Sequence, residues 1–294
     1  MEQFCLTEIE TKDNLVLQGL YAGPRHQRGT ALLWIHGLSS EFYSDLAVHE
    51  AFAKACEKKG WGYAAFNNRG HSLICAIQKL DSKEKRGYLH YPAGAGQERF
   101  YDCVSDIDAG INFLIRQGFK KVYLVGHSTG SNKACYYAGK IKDSRVGGVV
   151  LTGPVSDRLG EEKTNPNTAE TIAFMKKRIR EGKGDTLLFG YHFFPLTPKR
   201  YLSLFDKDAV EDVFDYGEKK PKMRWFSNIH KPLYVILAGN DEYADRTAQE
   251  MRKVFDAYAN SMHYKSEILP DCTHGFEGRE TILVRKIVNW IVHT

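Results

Sequence analysis

No stretch of the chain is apolar for the length that a membrane-spanning helix needs, so a bilayer-embedded function is not expected. Nor is there a long basic block. Lys/Arg and Asp/Glu alternate along most of the 294 residues, so the formal charge of +5 reads as a mild surface bias. It is not the footprint of a nucleic-acid-binding face. None of the six cysteines (Cys5, Cys56, Cys75, Cys103, Cys135, Cys272) forms a Cys-x-x-Cys pair, and spacing therefore gives no argument for a zinc site. Several lie in apolar surroundings, which suits reduced, mostly buried thiols in a cytoplasmic protein. The first residues, MEQFCLTEIETKDN, lack a basic start followed by an apolar run and do not read as a secretory signal. Internal repeats and low-complexity segments are also missing. What is present, 43% hydrophobic and 26% charged residues, is ordinary globular composition. The length allows one large domain or two small ones.

Residues 3–22 alternate in polarity and break at Lys12-Asp13-Asn14, a β-hairpin pattern. From there strand-like and helix-like segments take turns. The strands are expected at 31–37, 62–68, KVYLVG, 146–153, 232–239 and HYKSEILP. The helices are expected at 46–59, 100–118, 129–141, 245–259 and 278–292. Residues 71–96 read as irregular, with a charged patch at 81–86. The alternation stops at 154–228, where only two helical patterns stand out, 168–181 and 198–205. Apolar strands alternating with helices imply a mostly parallel sheet covered on both faces. On that reading 1–153 and 229–294 form an α/β core, and 154–228 is a helical insertion above one end of the sheet.

The stretch VYLVGHSTGSNKACYYAGK places Ser128 between two glycines, after a strand and before a helix. This G-x-S-x-G arrangement sets a serine on a tight strand-to-helix turn, with its Oγ exposed at the sheet edge. Gly126 and Gly130 lack side chains that would collide with the neighbouring strand and helix. The helix amides favour negative charge developing at the site. The blander account of Ser128 is a helix cap.

A serine nucleophile needs a base, and the base needs an orienting acid. With GHSTG, LYVILAGNDEYAD and EILPDCTHGFEG in these positions, the whole chain resembles the α/β-hydrolase superfamily. That resemblance implies the chain order serine, acid, histidine, with the acid after a late strand and the histidine after the last one. It selects Asp241 and His274. The other histidines fit less well: His127 adjoins the serine but is expected to point away from the pocket, His36 follows an early strand, His263 begins a strand and His293 lies in the last helix. Glu242 and Asp245 are close rivals for the acid. Asp241 is preferred because it directly follows the Gly-Asn turn, and Asp245 could instead cap the next helix. IHGLSS resembles the His-Gly-x oxyanion motif of the same fold. The resemblance implies two backbone donors, the N–H groups of Leu38 and Thr129.

FNNRGHS, AGAGQERFYDCVSDI, GHSTGSNKACYY and GNDEY together are similar to a narrower group of small bacterial and fungal serine hydrolases. This group is known by a domain-of-unknown-function label and includes siderophore-esterase-like proteins. The similarity implies hydrolysis of an ester or an amide and does not specify the substrate. Asn67, Asn68 and Arg69 are read as buried braces of the oxyanion or histidine loop. The insertion is read as a cap. Its aromatics Phe189, Tyr191, Phe193, Phe194, Tyr201 and Phe205, with Phe42 and Tyr43 nearer the oxyanion loop, are candidates to line an apolar pocket or to fasten the cap. The basic run 176–184 is read as a solvated face, with binding of an acidic group as the alternative.

The expected activity is therefore carboxylic-ester hydrolysis by a triad of Ser128, His274 and Asp241, acting on a small molecule with no metal or organic cofactor. Amidase, peptidase and thioesterase activities use the same triad and stay open. A non-catalytic ligand-binding role is a third reading. Oligomeric state cannot be read from the chain.

Overall fold

The computed structural model describes residues 4–26 and 29–294. The chain opens with β1 (Cys5–Glu10) and β2 (Val16–Ala22), an antiparallel hairpin turning at the expected Lys12-Asp13-Asn14. Asn14 takes a positive φ of 66°, which an Asn accommodates at little cost. Then follow β3 (Thr30–Ile35), α1 (Leu46–Glu57), β4 (Gly62–Phe66), β5 (Cys75–Leu80), β6 (Tyr88–Ala93), α2 (Cys103–Arg116), β7 (Lys121–His127), α3 (Thr129–Lys140) and β8 (Val146–Thr152). Four helices come next: α4 (Asp157–Thr164), α5 (Thr168–Arg180), α6 (Pro198–Phe205) and the short α7 (Arg224–Ser227). The chain closes with β9 (Leu233–Ala238), α8 (Ala248–Tyr258), β10 (Tyr264–Leu269) and α9 (Glu280–Val292).

Among the described residues eight strands make one sheet in the order β1-β2-β4-β3-β7-β8-β9-β10. The pairs β1–β2 and β2–β4 are antiparallel and all later pairs are parallel. Strands β3, β4, β8 and β9 are apolar and almost wholly buried, because helices cover both faces. On one face α2, α3 and α8 contribute Ile107, Leu114, Cys135, Met251 and Phe255. On the other, α1 and α9 contribute Phe52, Leu283, Ile287 and Ile291. This is the α/β-hydrolase fold. Among the described residues no helix is long and apolar enough to cross a membrane.

Two segments differ from the sequence reading. Residues 71–96 are not irregular: β5 and β6 form a two-stranded antiparallel hairpin beside the main sheet, in register from Cys75–Ala93 to Leu80–Tyr88. A bridge between Leu15 and Lys79 and the Leu80 N–H to Asn14 O bond tie it to the first hairpin. Residues 154–228 also hold the helix α4, capped by the Ser156 Oγ accepting the Leu159 N–H.

Candidate active site

The loops after β3, β4, β7, β8, β9 and β10 meet beyond the carboxyl ends of the parallel strands, where open α/β sheets form their crevice. β7 ends at His127 and α3 starts at Thr129, so Ser128 alone makes the turn, with φ 55° and ψ −129°. A non-glycine residue held there stores roughly 1–3 kcal/mol of strain. The Ser128 N–H donates to Thr152 O at 3.0 Å, which pins the turn to β8. The flanking glycines are required by close approach. A Cβ on Gly130 would stand 2.0 Å from Ile35 O, and one on Gly126 would stand 2.3 Å from Gly130 O. Gly37, across the crevice, lies so near that a Cβ there would meet the Ser128 Cβ at 2.8 Å.

His274 sits in the loop after β10 and is 7% exposed. Its Nδ1–H donates to Asp241 Oδ2 at 2.8 Å, which leaves Nε2 as the basic nitrogen. The other carboxylate oxygen of Asp241 accepts the Tyr243 N–H at 3.0 Å. Glu242 serves the same loop differently, accepting the His274 backbone N–H at 2.9 Å. Asp245 does not cap α8. It pairs with Arg246 at 2.6 Å, and Thr247 and Glu250 form the capping box instead.

Ser128 and His274 border one cavity of about 490 Å³. Gly37 and Leu38 border it from the β3 loop, and Val155, Asp157, His192, Phe193 and Phe205 from the segment between β8 and β9. Among the described residues neither the Leu38 nor the Thr129 amide donates to a protein acceptor. Of the eight aromatic candidates, Phe193 and Phe205 reach the cavity. Phe42 is held by its N–H to Asn67 Oδ1 at 2.9 Å and packs on the exposed Tyr43. Phe189 is largely exposed, and Tyr191 stacks on Phe174 at 5.3 Å. Phe194 and Tyr201 are buried in the local core between α5 and α6. The division follows from the 188–196 loop: Leu188 and Leu196 bond to each other through their backbones, and the loop turns His192 and Phe193 toward the cavity. Val155, Asp157 and His192 line it without any motif that would have marked them, and Tyr243 closes the GNDEY stretch.

Residues 93–293 match the family described as "Protein of unknown function (DUF1749)". The chain belongs to the DUF1749 family. This DUF1749 chain is 27% identical over 262 residues to a Mycoplasma pneumoniae protein named "Putative esterase/lipase 2", covering 84% of the chain and 88% of the relative. Among solved structures, the α/β hydrolase GrgF from Penicillium sp. sh18 superposes with a TM-score of 0.69 at 14% identity, over 99% of this chain and 98% of that one. The siderophore hydrolase EstB from Aspergillus fumigatus superposes with a TM-score of 0.65 at 18% identity, over 100% and 97%. At these identities the superpositions speak for the fold.

Two of the other candidate histidines of the DUF1749 chain, His36 and His127, have defined surroundings. His36 is buried; its Nε2 accepts the Asn68 N–H at 2.9 Å, and its Nδ1–H donates to Gly37 O at 2.9 Å. Burial, with help from Lys133, lowers its pKa to about 3, so it stays neutral. His127 does not point away from the site. Gly126 faces α3, so His127, one residue on, faces the opposite side of the sheet. There its ring stacks on Trp34 and stands 5.2 Å from the His274 ring. Burial and the neighbouring His274 lower its pKa to about 3. Asp157, in the first turn of α4, is the reverse case: burial, and then Glu211, raise its carboxyl to about 7.

Asn67 and Asn68 brace the loop after β3 through Phe42 and His36. Arg69 acts elsewhere, pairing with Asp106 at 2.7 Å, Asp13 at 3.0 Å and Asp102 at 3.3 Å. The basic run 176–184 does not border the cavity. Lys176 pairs with Asp206 and Arg178 with Glu181.

Proposed function

We propose that this DUF1749 protein is a serine hydrolase that cleaves carboxylic esters, with residues 154–228 acting as a helical cap over the site. The observation that carries the reading is the shared cavity. Ser128, forced to positive φ on the elbow, and His274, bonded through Nδ1 to Asp241, border the same space, beside two amides with no protein acceptor. The names borne by the Mycoplasma relatives agree with it.

In the proposed reaction the Ser128 Oγ attacks the ester carbonyl carbon while His274 Nε2 takes its proton. Asp241 holds the imidazole in the tautomer with hydrogen on Nδ1 and stabilises the imidazolium. The Leu38 and Thr129 amides donate to the oxyanion, a contribution of about 10²–10³ in rate per donor in such sites. Collapse expels the alcohol, which takes the proton from His274. Water, deprotonated by His274, then attacks the acyl-enzyme; the acyl–Oγ bond breaks, His274 returns the proton to Ser128 Oγ, and the acid is released.

The test is turnover of p-nitrophenyl esters from acetyl to long-chain, beside a matched p-nitroanilide and a thioester, with Ser128→Ala as control. Ester cleavage that vanishes in a folded Ser128→Ala is expected. Undiminished cleavage by that variant would exclude the mechanism, and faster turnover of the anilide or thioester would change the bond class.

A further inference from the structure

Behind the cavity lies a group of fully buried charged side chains that the proposed reaction does not use. Lys133, on α3, bonds Glu98 Oε1 at 2.6 Å, and both side chains are about 1% exposed or less. Glu98 also pairs with Arg200 of α6 at 3.3 Å, and Arg200 pairs with Glu211. Two cations and two carboxylates balance, as a buried cluster must. Burial alone would raise the Glu98 carboxyl, but Lys133 and Arg200 outweigh it and hold it low.

Lys133 makes one contact that cluster stability does not require. Its Nζ donates to Asn68 Oδ1 at 3.0 Å. That oxygen also accepts the Gly70 N–H at 2.9 Å, so the side-chain amide is turned with Nδ2 toward His36, 3.3 Å from His36 O. The Asn68 N–H then fixes His36 Nε2, and His36 Nδ1–H holds Gly37 O. Leu38 is the next residue. At its other end Lys133 is rooted one turn along the helix whose first residue is Thr129.

We infer that Lys133 is a positioning residue for the oxyanion hole: from the helix that carries Thr129 it reaches, through Asn68 and His36, the loop that carries Leu38, and so sets the spacing of the two amides. The inference rests on the serine-hydrolase reading above. Donors displaced by a fraction of an ångström lose transition-state stabilisation while substrate binding is little affected.

The measurements are the rate of Ser128 labelling by a fluorophosphonate, kcat and KM on a p-nitrophenyl ester, and inhibition by a trifluoromethyl ketone, whose adduct carries an oxyanion. Lys133→Met combined with Glu98→Gln removes the link and keeps the cluster neutral, since Arg200 and Glu211 still balance. Asn68→Ala removes the same link from its acceptor side, together with the Nδ2 contact to His36 O, and leaves the Lys133–Glu98 pair intact. Both should slow labelling and lower kcat about 10- to 100-fold, with KM within about twofold and ketone affinity reduced in parallel with kcat. Arg200→Met with Glu211→Gln, which disturbs the cap side of the same cluster, should keep labelling within about twofold of the parent at comparable loss of stability. Parent-like labelling by the folded Lys133 and Asn68 variants would overturn the inference. Equal slowing by the Arg200 pair would also overturn it, since the cluster would then be acting through stability alone. A folded parent that never labels would overturn the serine-hydrolase reading itself.

Discussion

At the scale of single residues, Asp241 and Glu242 are adjacent carboxylates given different tasks by the hydrogen they accept: the imidazole Nδ1–H for one and the backbone N–H of the same histidine for the other. Asp241→Asn should leave KM nearly unchanged and lower kcat by about 10³–10⁴, because an amide cannot hold the required tautomer. Steady-state kinetics on the best p-nitrophenyl ester would check this, and an unchanged kcat would remove Asp241 from the mechanism. Asp157 carries a pH prediction. Its folded pKa of about 7 lies above the ordinary carboxylate value, so the native state keeps a proton that the unfolded chain gives up from about pH 4 upward. The stability due to that proton is full at low pH and gone once the pH passes 7. Melting curves of Asp157→Asn against the parent should therefore show an advantage that grows from pH 4 to 7 and then levels off. An advantage independent of pH would mean that Asp157 is ionised throughout. In the sequence Ser128 is marked by its G-x-S-x-G turn, and Asp241 and His274 by the resemblance to the α/β-hydrolase superfamily, which places an acid and a histidine after late strands. The sequence could not mark Asp157 or Lys133, since an acid beside an arginine and a lysine in a polar helix turn read as ordinary surface residues until the fold buries them.

At the scale of elements, legibility followed the source of each element's stability. The helix α2 announces itself because its apolar residues recur on one face and are buried there. By contrast α4 has a glycine at its centre and only Leu159 as a buried apolar residue. It is fastened by Arg158, which pairs with Asp212 at 2.8 Å and with Glu162 and Glu218. A helix anchored through a buried guanidinium leaves no apolar stripe to read. The hairpin β5–β6 is similar: Ile77 and Ala93 are its buried residues, and its turn is made of the charged patch. Arg69 joins three elements at once, the β1–β2 turn, the end of β4 and α2. Arg69→Met should lower the unfolding free energy by about 3–5 kcal/mol, because Asp106 stays buried without its partner. Adding Asp106→Asn should return a good part of it. Urea denaturation of the three variants would decide, and a double variant as unstable as the sum of both changes would refute the pairing.

At the scale of the whole molecule, all six cysteines are free, and Cys56, Cys103, Cys135 and Cys272 are buried. Reductant should not change the melting temperature. A thiol reagent should take Cys5 at once, Cys75 more slowly and the other four only on unfolding. A reductant-sensitive melting temperature would instead reveal a disulfide.

The loops that build the cavity leave β3, β7, β8, β9 and β10, strands that begin at residue 30 and end at residue 269. No short piece of the chain contains the site, and its parts meet only when distant strands have paired in register. Reactivity of Ser128 toward a fluorophosphonate is thus also a clock for refolding: it should return with the last long-range pairing of the sheet, after the helical signal has already recovered.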